Sequence, residues 1–353
     1  MPGSAADGPA MTLKVNVPVA WFGAGGLVHH ATVLCEDGRV TYAGASAAAP
    51  PADELLEVDG FLMPGVVDRH VHIRLADPGA VLFGGVTAVR DLGWVPEEIF
   101  ALANASELPS FTGPVIRAAG PMLTAPGGYP THEGWAPSGT ARELRGPDDA
   151  ATVVAELADS GAAAVKVALN SEAGPTPSDA ELAAIVQAAH ERDLPVTAHV
   201  QGRGQAERAV GAGIDEFAHT PWTERLPDPL LEAAARTMRM VSTLDILSFG
   251  DVTQELRTAC DNLVRFRTAG GTVVYGTDLG NGAIPPGIHL REALLLHEAV
   301  RMMPEEVLVA MTAGPIAVDG PADLIVLGSD PLVRLEALGD LRTVVRAGRV
   351  VSG

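Results

Sequence analysis

Apolar and polar residues alternate near both ends of the chain. Residues 26–44 alternate around the dipeptide Asp37-Gly38, a pair that favours a tight β-hairpin turn. Residues 322–327 and 343–351 also predict strands, and the second of these stretches contains an Ala-Gly turn. We therefore expect strands from both termini to pair in one small sheet.

The middle of the chain follows a different pattern, in which short apolar runs alternate with amphipathic segments. Such alternation is typical of strand–helix units that build a parallel sheet. Ser178 and Glu181 form a capping box that predicts one helix start, and Pro304 with the acids after it predicts another. The apolar runs predict eight strands, at residues 64–69, 87–91, 114–119, 163–167, 195–199, 216–219, 240–244 and 272–277.

These patterns predict a protein of the α/β class. Residues 63–314 would form a (β/α)8 TIM-like barrel. Residues 1–62 and 315–353 would together form a small β-sandwich domain beside it. The length of 353 residues accommodates a barrel of about 250 residues together with such an accessory domain.

Composition bears on whether the protein is predicted to span a membrane or to be secreted. Hydrophobic residues make up 47% of the chain, but no apolar run approaches the roughly 18 residues of a membrane-spanning helix. Residues 1–15 lack the basic start and apolar core of a secretory signal, so they predict a flexible leader. We therefore expect a soluble, cytoplasmic protein.

The net charge and the cysteine content exclude several classes of binding partner and site. A net charge of −20 at pH 7 disfavours binding to nucleic acid and to anionic membranes. Cys35 and Cys260 are too few and too far apart to predict a disulfide framework or a thiolate zinc site. We expect a small-molecule substrate, no nucleic-acid or membrane partner, and leave a homo-oligomer open.

Histidines recur at the ends of the predicted strands. His70 and His72 end the first strand, and the period of two directs both imidazoles to one side. His199 and His219 end the fifth and sixth strands, and Asp278 follows the eighth. Because barrel active sites assemble at the carboxyl ends of the strands, we expect these side chains to share one rim. Five polar strand caps without function would be an improbable coincidence, so the set predicts a hydrolytic metal site in which Asp278 can bind a metal and take a proton from metal-bound water.

Lys166 lies at the end of the fourth predicted strand and needs a separate explanation. A protonated lysine is a donor only and cannot bind a cation. Burial and nearby metal charge would lower its pKa, and the neutral amine could then react with carbon dioxide to form a carbamate. Such a group could bridge two divalent ions. The alternative is a rim lysine paired with a carboxylate.

Several stretches of this sequence occur in the same order in a known family. They include FLMPGVVDRHVHIRL, GGVTAVRDLG, GIDEFAHT, GTVVYGTDLG and PADLIVLGSDPL. The chain thereby resembles the amidohydrolase superfamily, in its imidazolonepropionase-like and Xaa-Pro dipeptidase (prolidase)-like branch. The resemblance implies two divalent metal ions, one bound by His70 and His72 with Asp278, the other by His199 and His219, with N6-carboxylated Lys166 bridging both. Zinc is the expected metal, although manganese, iron, cobalt and nickel also suit histidine and carboxylate ligands.

The resemblance also implies a reaction, in which a bridging hydroxide attacks a carbonyl and Asp278 passes the proton to the leaving nitrogen. The expected substrate is a small amide such as an N-acyl amino acid, a dipeptide or a cyclic amide. The absence of a carboxylate shortly after His199 argues against ring deamination. Two alternatives remain: a lactonase, esterase or phosphotriesterase on the same binuclear site, and a noncatalytic barrel.

Six further residues are candidates for contact with the substrate. The H-x-H-x-R run from His70 to Arg74 resembles one that dihydroorotase-type relatives use to bind a substrate carboxylate, provided that the strand continues; a rim ion pair is the alternative for Arg74. The glycine-rich segment 123–146 predicts a loop over the site. Tyr129 and His132 are candidates from this loop, and for His132 the alternative is an exposed histidine without function. The remaining candidates, from positions after the ligand strands, are Gln201, Arg203 and Trp222.

Overall fold

The computed structural model describes residues 11–24, 26–108 and 110–352, and within these ranges the chain forms eighteen β-strands and nine α-helices. In chain order the strands are β1 (Leu13–Trp21), β2 (Leu27–Glu36), β3 (Arg39–Ala45), β4 (Glu54–Glu57), β5 (Phe61–Pro64), β6 (Val66–Val71), β7 (Val86–Asp91), β8 (Val115–Ala118), β9 (Met122–Thr124), β10 (Ala141–Glu143), β11 (Val165–Asn170), β12 (Val196–Gln201), β13 (Glu216–Phe217), β14 (Arg239–Val241), β15 (Thr272–Val274), β16 (Leu324–Leu327), β17 (Leu341–Arg346) and β18 (Arg349–Ser352). The helices are α1 (Pro78–Phe83), α2 (Pro96–Ser106), α3 (Pro147–Asp159), α4 (Asp179–His190), α5 (Gln205–Ala212), α6 (Asp228–Thr237), α7 (Gln254–Thr268), α8 (Leu290–Glu298) and α9 (Pro304–Met311).

Strands from both ends of the chain do pair in one sheet. Its order is β18-β17-β16-β5-β1-β2-β3, and β4 also pairs with β1. The predicted hairpin between β2 and β3 is confirmed, since Asp37 and Gly38 adopt the positive φ angles of 49° and 76° that a two-residue turn requires. Ala347 and Gly348 turn β17 into β18 in the same way, with φ angles of 48° and 71°.

Strand β1 corrects one expectation from the sequence. Residues 13–15 were assigned to a flexible leader, but β1 begins at Leu13 and pairs along its length with β2. Leu13, Val15 and Val17 are buried at alternating positions against an apolar cluster that includes Val33. The predicted leader and β1 overlap by only three residues, which are too few for an alternating pattern to indicate a strand. Residues 1–10 of the predicted leader lie outside the described residues.

The middle of the chain forms parallel sheets, as the alternation of strands and helices predicts. One sheet has the order β6-β7-β8, and the other has the order β10-β9-β11-β12-β13-β14-β15. Main-chain hydrogen bonds join the two sheets: Ala163, just before β11, donates to the carbonyl of Ala118 in β8 at 2.8 Å, and Arg69 in β6 donates to the carbonyl of Tyr275, just after β15, at 3.1 Å. Parallel pairing brings the carboxyl ends of these strands to one edge of each sheet.

Each of the eight predicted strands has a counterpart in these sheets, with shifted bounds. The largest shift is in β11, which was predicted at 163–167. Two further strands, β9 and β10, lie mostly within segment 123–146, which showed no periodicity and was predicted to be a loop. They were missed because each has only three residues, too few for an alternating pattern to show.

Helices follow most strands of the parallel sheets and cover them with apolar side chains. The predicted capping box of α4 is confirmed: the Ser178 hydroxyl accepts from Glu181 N at 3.3 Å, and the Glu181 carboxylate accepts from Ser178 N at 2.7 Å. Helix α9 begins at Pro304, as predicted. In the part of the chain that is described, none of the helices combines the length and apolar character needed to cross a bilayer.

Candidate metal centre and substrate cavity

All six residues predicted as metal ligands line one cavity of about 220 Å³. Each of them is less than 10% exposed. They arrive from five different strands or from the residues just after them, so the parallel sheets bring together groups that lie far apart in sequence. The residues are His70, His72, Lys166, His199, His219 and Asp278.

His70 and His72 are held by main-chain carbonyls. His70 Nδ1 lies 2.7 Å from the carbonyl oxygen of Ala218, and His72 Nδ1 lies 3.0 Å from that of Gly93. Because a carbonyl only accepts, both rings carry their proton on Nδ1 and direct the lone pair of Nε2 into the cavity. Each Nε2 lies 3.4 Å from Asp278 Oδ1. This is the tautomer that allows an imidazole to bind a metal through Nε2.

His199 and His219 meet edge to face, with ring centroids 4.9 Å apart, and His219 also lies 4.3 Å from the ring of His70. Thr243 Oγ1 is within 2.9 Å of His219 Nδ1. Burial lowers the pKa of His199 to about 3 and the pKa values of His70 and His219 well below their ordinary value. These three imidazoles are therefore neutral, as ligands must be.

His72 behaves differently from its neighbours. Burial lowers its pKa, but the hydrogen bond and negative charge of Asp278 outweigh burial, and the net effect is a raised pKa. A cation at this position would take the place of the proton that Asp278 favours. The pairing therefore indicates where positive charge is most stable in the cavity.

Lys166 has no exposed surface, and its Nζ has no hydrogen-bond partner among the described residues. Burial lowers its pKa to about 7. Because a buried ammonium without a partner is costly, burial favours the neutral amine here far more than at an exposed lysine. The structure corrects the position of Lys166 along its strand: it is the second residue of β11, not the next to last, because β11 begins at Val165 and continues to Asn170.

Asp278 is fixed by a network that the sequence pattern did not reveal. It adopts a positive φ of 61°, and its N–H donates to the carbonyl of His70 at 2.8 Å. The carboxylate of Asp68 accepts from His70 N at 3.1 Å and from Thr277 N at 3.0 Å, which ties β6 to the segment after β15. Asn281 Nδ2 donates to Asp278 Oδ1 at 2.9 Å. Asp68 and Thr277 could have been suspected only from their spacing, two residues before His70 and one before Asp278.

The donor set suits a divalent metal. Ligand atoms of His70, His72 and Asp278 lie within 4.8 Å of one another, the one such group of three or more among the described residues. His70 Nε2 and Lys166 Nζ are buried with no hydrogen-bond partner in this part of the chain, and nitrogen and carboxylate oxygen are common ligands of Zn²⁺ and related ions.

Three of the six candidates for contact with the substrate lie at or beside the cavity. Tyr129 and Trp222 line the cavity, and Tyr129 stacks on His199 with ring centroids 5.0 Å apart. Gln201 lies beside the cavity, where its Oε1 is 3.3 Å from His199 Nε2. His132 lies on the 123–146 segment but is not among the residues that line the cavity.

Neither arginine candidate reaches the cavity. Strand β6 ends at Val71 and the next residues form a 3-10 turn, so the condition for Arg74 to follow His72 to the same side fails. Arg74 pairs with Glu98 at 3.1 Å instead. The Arg203 side chain is 95% exposed. The expected guanidinium contact to a substrate carboxylate is therefore not present at these two positions.

Other lining residues were missed by the sequence analysis. They lie in the unpredicted strand β9 and in irregular segments after β14 and β15, where no periodicity indicates which side chains face inward. These residues are Met122, Ile246, Leu247 and Asn281.

Comparisons with known proteins agree with this arrangement. The sequence profile of the amidohydrolase family matches residues 61–351. An imidazolonepropionase of Mycolicibacterium smegmatis is 41% identical over 66 residues, which span 18% of this chain and only 17% of that protein. The structure of A. niger ochratoxinase matches with a TM-score of 0.83 and 20% identity, over 98% of this chain and 96% of its own. A Xaa-Pro dipeptidase with bound methionine matches with a TM-score of 0.81 and 18% identity, over 97% of this chain and 100% of its own.

Proposed function

We propose that this chain, which belongs to the amidohydrolase family, is a metal-dependent hydrolase. It would cleave a carbon–nitrogen bond of a small substrate. The family membership confirms the resemblance inferred from the sequence. One observation carries the proposal: four imidazoles, a lysine and a carboxylate converge on one buried cavity, where His70 Nε2 and Lys166 Nζ have no hydrogen-bond partner among the described residues.

The same atoms support a binuclear centre. We propose that His70, His72 and Asp278 would hold one divalent ion, that His199 and His219 would hold a second, and that Lys166, once carboxylated, would supply a further anionic ligand for the pair. Zinc is the expected metal, and manganese, iron, cobalt or nickel would suit the same ligands. Such ions, when bound, polarise a carbonyl and lower the pKa of water.

The protein side chains would then orient the substrate and move a proton. The carboxylate of Asp278 would take a proton from the attacking water and deliver it to the leaving nitrogen, because an amine leaves an amide only when it is protonated. Asn281 holds Oδ1 of that carboxylate at 2.9 Å and so fixes which way it faces. Tyr129 and Trp222 would exclude water from the cavity around the reacting carbonyl.

We also propose the finer architecture in which this site is set. The main-chain hydrogen bonds between the two parallel sheets support their closure into one (β/α)8 barrel over residues 63–314. The apolar cluster that β1, β2, β5 and β16 share supports folding of the terminal sheet over itself as a β-sandwich from residues 1–62 and 315–353. A cytoplasmic location remains a proposal of the same kind.

The metal centre is tested by composition. Elemental analysis of protein produced with excess zinc and bicarbonate should find about two metal ions per wild-type chain and fewer in Lys166→Ala. The chain has one other lysine, Lys14, whose exposed Nζ donates to the Pro50 carbonyl, so Lys14→Ala is a matched control that should keep the wild-type metal content.

The presence of only two lysines also makes the carbamate directly observable. Protein equilibrated with carbon-13 bicarbonate should show one carbamate signal by nuclear magnetic resonance, retained in Lys14→Ala and missing from Lys166→Ala. One metal ion per chain regardless of Lys166 would contradict the bridging role. Metal-free protein under these conditions would contradict the metal-dependent hydrolase itself.

A further inference from the structure

The cavity wall outside the six predicted ligands carries no charged side chain among the described residues that line it. Five of its members are apolar or aromatic and the sixth is an amide. These residues are Met122, Tyr129, Trp222, Ile246, Leu247 and Asn281. We propose that the substrate is an uncharged amide with apolar groups on both sides of the scissile bond, such as an N-acyl arylamine, and not an N-acyl amino acid or dipeptide. This inference rests on the proposed hydrolase function and specifies its substrate class.

The absence of a cation in this wall is the first argument. Substrate carboxylates are usually held by a guanidinium or ammonium group, since burying a carboxylate without such a partner is strongly unfavourable. The two arginines that sequence placed near the site are engaged or exposed elsewhere: Arg74 pairs with Glu98, and Arg203 extends into solvent. A carboxylated substrate would therefore have to use the ligand cluster itself, which the scissile carbonyl also needs.

Negative charge beside the cavity is the second argument. Gln201 bridges the cavity rim to an acidic residue, because its Nε2 donates to Glu172 at 2.9 Å. A substrate carboxylate at this rim would lie near the Glu172 carboxylate and be repelled by it, whereas an uncharged group would not.

The origin of the apolar surface is the third argument. Tyr129 stacks on His199 with an interplanar angle of 20°, and the ring of Trp222 lies 5.6 Å from that of His219. Ile246 and Leu247 come from a 3-10 turn after β14, and Met122 comes from β9. Apolar side chains thus reach the ligand cluster from several separate segments, which suits a substrate that is apolar on both sides of its amide.

Three chromogenic anilides test the substrate class on the zinc-loaded enzyme. Butyryl-4-nitroanilide is uncharged, succinyl-4-nitroanilide has a carboxylate on the acyl side, and the butyryl amide of 5-amino-2-nitrobenzoate has one on the amine side. We expect kcat/KM for the uncharged compound to exceed both others at least tenfold. Equal or faster hydrolysis of either carboxylated compound would overturn the proposal.

Binding separates the substrate class from the reaction. These anilides absorb where tryptophan emits, so their binding near Trp222 should quench its fluorescence, and Trp222→Phe should show less of that quenching. Tighter binding of the uncharged compound without hydrolysis of any anilide would support the substrate class and contradict amide cleavage. Equal or tighter binding of the carboxylated compounds would overturn the substrate class even if amides were hydrolysed.

A designed charge sharpens the test. Leu247 is only partly buried, so Leu247→Arg can present a guanidinium at the wall without filling a closed core. It should shift the ratio of carboxylated to uncharged substrate at least tenfold towards the carboxylated one. Leu247→Met, of similar size and without charge, should keep the wild-type preference. An unchanged ratio in Leu247→Arg would place the substrate away from this wall and overturn the proposal.

Discussion

Two buried polar clusters lie on the parallel strands, and their charges are compensated to different degrees. The Glu216 cluster, which comprises Arg90, Thr197, Glu216 and Arg239, is largely neutralised by its own members. The carboxylate of Glu216 contacts Arg90 Nη2 and accepts from Thr197 Oγ1 at 2.9 Å. Its Oε2 makes no hydrogen bond among the described residues but forms an ion pair with Arg239 Nε at 3.4 Å. The ligand cluster instead leaves His70 Nε2 and Lys166 Nζ without a hydrogen-bond partner among the described residues.

This difference separates structural from functional burial of polar groups. A buried charge persists when its neighbours neutralise it, and breaking one partner then destabilises the fold. Buried donors and acceptors without partners are rare in folded proteins and need another explanation, such as a ligand or ion. We therefore expect substitutions in the Glu216 cluster to act on stability and substitutions in the ligand cluster to act on activity.

The largest expected effect is on activity. Asp278→Asn keeps the shape of the side chain but removes the proton acceptor, so kcat/KM for the best anilide should fall by about 10⁴-fold, the upper end for general acid–base groups, because a ligand is weakened as well. Chemical denaturation should show a free energy of unfolding within about 1 kcal/mol of wild type. A large loss of stability would instead place Asp278 among the structural groups.

Glu216→Ala should give the reverse result. It leaves the guanidinium of Arg90, which lies mostly buried, without its carboxylate, and the free energy of unfolding should fall by about 3 kcal/mol. Glu216→Gln retains a hydrogen-bond acceptor and should cost less. Denaturation curves measure both, and activity per folded molecule should change little. Full stability in Glu216→Ala would show that the two clusters do not differ as we describe.

The smallest effect concerns a third buried carboxyl, which faces backbone amides and no arginine. Glu292 accepts from Leu244 N and Asp245 N at 2.9 and 2.8 Å, behind the turn that carries Ile246 and Leu247. Burial raises its pKa from 4.5 to about 7. The folded state therefore keeps a proton that the unfolded state has already released, and stability is lost as pH rises from about 4.5 through 7.

Glu292→Gln cannot ionise, so the comparison of unfolding free energies across this pH window isolates the contribution of Glu292. Wild type should lose about 1–2 kcal/mol relative to Glu292→Gln between pH 5 and pH 7. Parallel pH profiles of the two proteins would show that this carboxyl is not protonated in the folded state.

Much of the fold could be predicted from the sequence because the patterns concerned are local. The hairpin at Asp37-Gly38, the capping box at Ser178 and the eight apolar runs each depend on neighbours a few residues away. Short strands such as β9, and the first residues of β1, were missed because three or four residues do not establish a period.

The candidate site divides in the same way. Strand periodicity placed His70 and His72 on one side, and their positions at strand ends predicted the neighbours that the structure brings together. It failed at Arg74, since nothing local showed that β6 would end at Val71 and that a 3-10 turn would direct this side chain to Glu98.

The sequence by itself determined the alternation of strands and helices, the family resemblance and the set of residues able to bind metal. Only the tertiary structure decided which atoms of that set lack hydrogen-bond partners, which segments line the cavity and which arginines lie outside it. The physical reason is that a strand's period fixes a side chain's face locally, whereas hydrogen-bond partners and cavity-lining residues come from segments that can be more than two hundred residues apart, as Asp68 and Thr277 show. Their contacts exist only once the whole parallel array has formed.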